Sequence, residues 1–169
     1  MYKEPSAYTP DIARLLRRRP QAAAGVSGSA SYPALRGLVR FWDAGGGTVV
    51  AAEFTGLPTM TVHCEKPVFA MHIHEGGSCT QNGADTADPF PLTGMHFNPQ
   101  GCPHPYHAGD LPPLFGAGGY AFSLFYTDRF TVGDVLGRTV ILHSAPDDFT
   151  SQPSGNAGTK IACGVIRPN

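Results

Sequence analysis

A chain of 169 residues and 17.9 kDa is long enough for one domain with its own core and too short for two ordinary ones. Apolar residues at 41% against 15% charged exclude general disorder, and a net charge of −1 with a pI near 6.6 excludes the basic surface of a nucleic-acid binder. The 21 glycines and 16 prolines make the chain turn-rich, which favours short strands over long helices.

Residues 1–32 read as an N-terminal extension. Thr9-Pro10-Asp11 followed by Ile12, Leu15 and Leu16 predicts a short capped helix, and Arg17-Arg18-Arg19 is its solvated end. The Ala/Gly/Ser stretch from Ala22 to Ser31 predicts a flexible connector. No apolar segment follows the arginines, so no signal peptide is visible. That predicts a cytoplasmic protein, or an extracytoplasmic one if a leader has been removed. No stretch is long and apolar enough for a membrane helix; the charge-free run 111–127 is broken by Pro112 and Pro113.

From residue 33 to 169 the pattern is that of a β domain. Leu35–Trp42 and Thr48–Thr55 flank Ala44-Gly45-Gly46-Gly47 and predict a hairpin. Further strands are predicted over Val68–His74, Tyr120–Tyr126, Arg138–His143 and Lys160–Ile166. Between them lie two long loops, 75–119 and Ser144–Gly158, rich in Gly, Pro and Asn. The expected fold class is therefore all-β, an antiparallel sandwich or barrel, with function on the two loops.

Seven histidines all lie at or beyond residue 63. His72-Ile73-His74 on a strand points both imidazoles to one face and Ile73 to the other. His96, His104, His107 and Asp110 fall on one Pro-restricted loop, and three imidazoles with one carboxylate suffice for tetrahedral zinc. His143 closes the apolar strand Val140-Ile141-Leu142; with His72, His74 and His96 it completes a four-imidazole set that suits copper. A cupin also carries His-x-His on a strand, but its usual carboxylate three or four residues on is missing here, because Gly77-Ser78-Cys79 occupies that place. Of the four cysteines, Cys64, Cys79, Cys102 and Cys163, none forms a C-x-x-C pair, and any distant two are available for one long-range bridge.

Taken together, Met71-His72-Ile73-His74-Glu75, Gly94-Met95-His96-Phe97-Asn98-Pro99, His107-Ala108-Gly109-Asp110-Leu111, the stretch Gly137–His143 and the stretch Gly155–Ile166 resemble the copper–zinc superoxide dismutase family. The resemblance runs from about Leu35 to Ile166. It implies an eight-stranded Greek-key β-barrel, immunoglobulin-like in its sandwich architecture, with the metals outside the barrel. It implies that His72, His74, His96 and His143 bind copper and that His96, as a bridge, binds zinc with His104, His107 and Asp110. Asp147 then joins a copper histidine to a zinc histidine, and Cys163 pairs with Cys79, with Cys102 as a rival. Cys64 and Cys102 are otherwise ordinary thiols, and His63 is structural.

The activity so implied is disproportionation of superoxide, with His96 taking up a proton and Lys160, where most members have arginine, guiding the anion. The substrate is a small molecule, with no nucleic acid or membrane as partner, and a homodimer is the common assembly. Two departures stand out: His104 and His107 are only three apart, which shortens the zinc loop, and the 144–159 loop has no Lys or Arg. A non-enzymatic copper-binding or copper-buffering domain is the alternative, and a zinc-only structural domain a third.

Overall fold

The computed structural model describes residues 9–60, 67–83 and 87–169. His63 and Cys64 lie outside the described residues. The expected helix forms as α1 (Ile12–Leu16), and Asp11 caps it by accepting a hydrogen bond from the Arg14 N–H. Leu15 is buried, and half-buried Ile12 packs beside it, against Trp42, Val49 and Ala51. The Trp42 indole N–H donates to the Arg18 carbonyl at 2.9 Å and pins the end of the segment. The helix thus covers the outer face of a hairpin made by β2 (Arg36–Asp43) and β3 (Thr48–Thr55).

The connector expected over Ala22–Ser31 is not there. Residues Ala22–Gly28 form a strand, β1, paired with β2 from Ala22 to Ser27. Ala22, Ala24 and Val26 are buried, while the residues between them are at least partly exposed. The period of two is intact, but its inward side chains are mostly single methyl groups. Composition suggested a linker, while the position beside large neighbours such as Phe41 and Phe54 calls for small residues.

The remaining elements are β4 (Val68–Phe69), β5 (Met71–His74), β6 (Leu114–Phe115), β7 (Tyr120–Thr127), α2 (Val132–Val135), β8 (Thr139–His143), β9 (Lys160–Val165) and β10 (Arg167–Pro168). The main sheet is antiparallel and runs β5-β8-β9-β1-β2-β3-β7, with β10 against β1. It curls around one core in which Phe41, Phe54, Met71, Ile73, Leu142 and Ile161 are all fully buried. The two outermost strands, β5 and β7, are each entered from a short strand, β4 and β6, and those two pair with each other. The curled sheet is thereby drawn into a barrel, in agreement with the all-β class expected from the sequence. The strand expected over 68–74 changes partners at Ala70, whose N–H and C=O turn to the backbones of Ala145 and His143.

Cys79 and Cys163 form a disulfide across an 84-residue separation. With Phe90 and Ile141 they make a small apolar cluster on the outer face of β8 and β9. On the chain-entropy model such a loop constrains the unfolded chain by about 4–5 kcal/mol. Among the described residues Cys102 is a free, half-buried thiol; its backbone is clasped by the Asn98 side chain.

One backbone crossing ties the long loop to the sheet. The Ile73 N–H donates to the Gly109 carbonyl, the Ile73 carbonyl accepts from Phe97 N–H, and Gly109 N–H donates to the Phe97 carbonyl, each at 2.8 Å. This fixes three stretches of chain against one another at the residues beside His72, His74, His96 and Asp110. Gly109 is required for space: a Cβ there would land on the Ile73 carbonyl oxygen and 3.0 Å from Phe97 N. Gly109→Ala is expected to destabilise the metal-free chain by about 1–3 kcal/mol, the cost of overpacking. Urea unfolding measures this, and wild-type stability in the variant would remove the crossing from the account.

Candidate metal centre

The His-x-His strand does what its period requires. Ile73 enters the barrel core, while His72 and His74 emerge on the outer face of β5. His143 ends β8, where a bulge between Leu142 and His143 sets it opposite Lys160. His96 and Asp110 are delivered by the crossing at Ile73, and isolated bridges link His74 to His96 and His72 to Asp110. The result is two sets of potential donor atoms, each mutually within 4.8 Å: His72, His74, His96 and His143, and His96, His104, His107 and Asp110. All seven residues are buried. The His96 ring lies between the sets, with its centroid 3.9 Å from His72, 4.9 Å from His74, 6.1 Å from His143, 5.8 Å from His104 and 5.5 Å from His107.

The outer hydrogen bonds fix which nitrogen each ring presents. His74 Nδ1 is 2.9 Å from the Gly94 carbonyl and His143 Nδ1 is 3.4 Å from the Gly158 carbonyl. A carbonyl only accepts, so both Nδ1 atoms carry the proton and both Nε2 atoms are bare lone pairs. Those two Nε2 atoms face each other at 3.3 Å. His72 Nε2 donates to Asp147 Oδ2 at 2.8 Å, and His104 Nε2 donates to Asp147 Oδ1 at 2.9 Å, which leaves the Nδ1 of each ring bare. His72 Nδ1, His104 Nδ1 and His96 Nε2 have no hydrogen-bond partner among the described residues. Converging, buried, unpartnered lone pairs are unfavourable unless a cation takes them. The four-imidazole set suits copper, and the set with Asp110 suits zinc.

On the zinc-suited side, Asp110 Oδ1 is 2.7 Å from His96 Nδ1 and Oδ2 is 3.0 Å from His104 Nδ1. Asp110 Oδ2 also accepts the His107 backbone N–H at 3.0 Å, so the carboxylate organises the loop that carries it. Burial alone would raise the Asp110 carboxyl; the His96 hydrogen bond and the surrounding imidazoles outweigh it and hold the group below its usual range. Asp147 is likewise penalised by burial, yet the bonds from His72, the Phe149 N–H and His104 bring it to about 2. Gly155, at φ +68°, packs against this Asp147–His104 bond, where a side chain would displace both.

The Lys160 ammonium lies 3.0 Å from Asp88 Oδ1 and 3.2 Å from the Phe90 carbonyl. It is mostly covered, and its charge acts on the neighbouring His143 imidazole. Sequence reasoning passed over Asp88, as it did Gln152, whose amide brackets the backbone of His104. Neither sits in a motif, and each gains its role only from a contact far along the chain.

An all-β sheet bearing two four-donor groups that share one histidine is the arrangement of a protein that could hold two metal ions side by side. The copper/zinc superoxide dismutase (SODC) family model matches residues 35–166. The chain is 31% identical over 146 residues to "Superoxide dismutase [Cu-Zn] 2" of Aquifex aeolicus, covering 78% of each chain. It is 33% identical over 138 residues to "Superoxide dismutase [Cu-Zn]" of Deinococcus radiodurans, covering 72% of this chain and 71% of that one. It is 32% identical over 151 residues to "Extracellular superoxide dismutase [Cu-Zn]" of Mus musculus, covering 79% of this chain but 54% of that longer one. The chain belongs to the copper/zinc superoxide dismutase family and is an oxidoreductase of that type.

Burial, followed by repulsion from neighbouring imidazoles, holds His74 and His143 well below the ordinary histidine value; His72 is also lowered, chiefly by burial. These rings are neutral in the folded chain and protonated once unfolded below about pH 6.5. The unfolded state then binds more protons, so metal-free stability falls as pH drops below that value. The slope is about 1.4 kcal/mol per pH unit for each ring that stays neutral. Thermal or urea unfolding of metal-free protein between pH 7.5 and 5.5 measures it. His74→Gln is expected to flatten the slope, and an equally steep fall in that variant contradicts the assignment.

Proposed function

We propose that this pocket is the catalytic centre of the dismutase, with copper held by His72, His74, His96 and His143 and zinc by His96, His104, His107 and Asp110. The observation that carries this reading is the His96 ring. Its Nδ1 sits against Asp110, while its Nε2 is buried beside the histidines of the other set with no hydrogen-bond partner among the described residues. The substrate is superoxide. Copper supplies the one-electron chemistry by which two superoxide anions and two protons become oxygen and hydrogen peroxide, and zinc is redox-silent.

The chain's own residues do the rest. Asp147 orients His72 and His104 together, so a shift in one metal group is felt in the other. His96 Nε2 is the atom that takes up a proton and hands it on. Lys160 is the local cation for an anionic substrate, with Asp88 offsetting part of its charge. The Cys79–Cys163 bridge supports an oxidising, extracytoplasmic location for the working protein. Among the described residues no helix is long and apolar enough to cross a membrane. Assembly as a homodimer belongs to the same reading and is carried by the family resemblance.

Metal content and dismutation rate measured on one sample test the assignment. One copper and one zinc per chain with rapid turnover is expected. Both metals bound without turnover would point to copper buffering, and zinc alone to a structural role. For Lys160→Glu we expect a lower rate and loss of the decline in rate with added salt. An unchanged rate and unchanged salt dependence would remove Lys160 from substrate capture.

A further inference from the structure

The segment that supplies His104, His107 and Asp110 has only two residues between consecutive ligands and lies outside the named strands and helices. Such a segment has many conformations to lose, yet its donors converge. Besides the Ile73 crossing and the Asp110 carboxylate, two residues outside the segment hold its backbone. The Arg129 guanidinium reaches back with Nη1 to the carbonyls of Pro105 at 3.0 Å, His107 at 3.2 Å and Asp110 at 3.4 Å. Nη1 has two hydrogens, so the three carbonyls share them, and all three stretches of the loop turn toward one cation.

Arg129 itself is on firm ground. It follows β7, and its N–H donates to Thr127 Oγ1 at 3.2 Å. The next residue, Phe130, is buried in the main core and its carbonyl accepts from Thr48 Oγ1 at 3.0 Å. On the opposite flank Gln152 brackets one residue: its Oε1 accepts the His104 N–H at 3.0 Å and its Nε2 donates to the His104 carbonyl at 2.7 Å.

We propose that Arg129 and Gln152 are positioning residues that preorganise the short His104–His107–Asp110 segment from outside. They take over the work that a longer, self-packed loop would do. This rests on the zinc assignment made above. Arg129 is suited to the task because a guanidinium keeps its charge at every working pH and offers a fan of donors, which a lysine ammonium at the end of a flexible stem does not reproduce.

The test uses the full chain as wild type, Arg129→Met, Arg129→Lys and Gln152→Leu. Zinc transfer to a chromophoric chelator is followed in the loaded protein, with copper retention measured alongside. Amide hydrogen exchange over residues 104–110 is followed in the metal-free protein. Arg129→Met and Gln152→Leu are expected to speed zinc transfer by about 10–100-fold, the usual effect of removing an outer partner. Exchange over 104–110 should quicken while copper retention and the urea midpoint stay near wild type, and Arg129→Lys should fall between. Wild-type zinc transfer in both variants, or equal loss of copper, zinc and the urea midpoint, overturns the proposal. If the wild type takes up no zinc, the zinc assignment fails instead; unchanged exchange at 104–110 in Arg129→Met would then still overturn the brace, and faster exchange would support it.

Discussion

The centre depends on the backbone of one residue, Ile73. Ile73 lies between two histidines with its side chain in the barrel core, so its backbone is as fixed as the core itself. Its N–H and C=O each take one strand of the long loop, at Gly109 and Phe97, and those two also bond each other. Four of the six residues adjacent to this triangle are potential metal donors: His72 and His74 flank Ile73, His96 precedes Phe97, and Asp110 follows Gly109. Sheet geometry, which spaces neighbouring backbones about 5 Å apart, thereby becomes the spacing of a metal centre.

What the backbone brings together is electrostatically costly in the absence of metal. Six imidazoles occupy one buried region, and desolvation, followed by repulsion between rings, holds His72, His74 and His143 below the ordinary histidine value. Asp147 and Asp110 supply the compensating negative charge, each to more than one ring. Asp147 spans the two groups from outside and Asp110 lies within one of them. The bare nitrogens that remain point inward. A site that is unfavourable when empty and satisfied by cations links metal uptake to fold stability.

Much of this was legible in the sequence, for identifiable reasons. His72-Ile73-His74 carries its own geometry, because a period of two decides which side chains share a face. The hairpin at Ala44–Gly47 and the strand ending in His143 also carry local signals. β1 was not legible, because its alternation is written in Ala and Gly, whose small contrast in size and polarity looks like a linker. Asp88, Arg129 and Gln152 were not legible either. Each acts on a residue twenty or more positions away, and no local pattern records such a contact. The outer edge of the centre is set by tertiary structure alone, while its ligands are set by motif.

The claim on which the account turns is that one imidazole serves two ions. Anomalous diffraction from crystals of the metal-loaded protein, collected on either side of the copper and zinc absorption edges, addresses it directly. The account predicts a copper peak on the Nε2 side of His96, among His72, His74 and His143, and a zinc peak on the Nδ1 side, among His104, His107 and Asp110. A single peak, or two peaks of which either lies out of reach of the His96 ring, would contradict it.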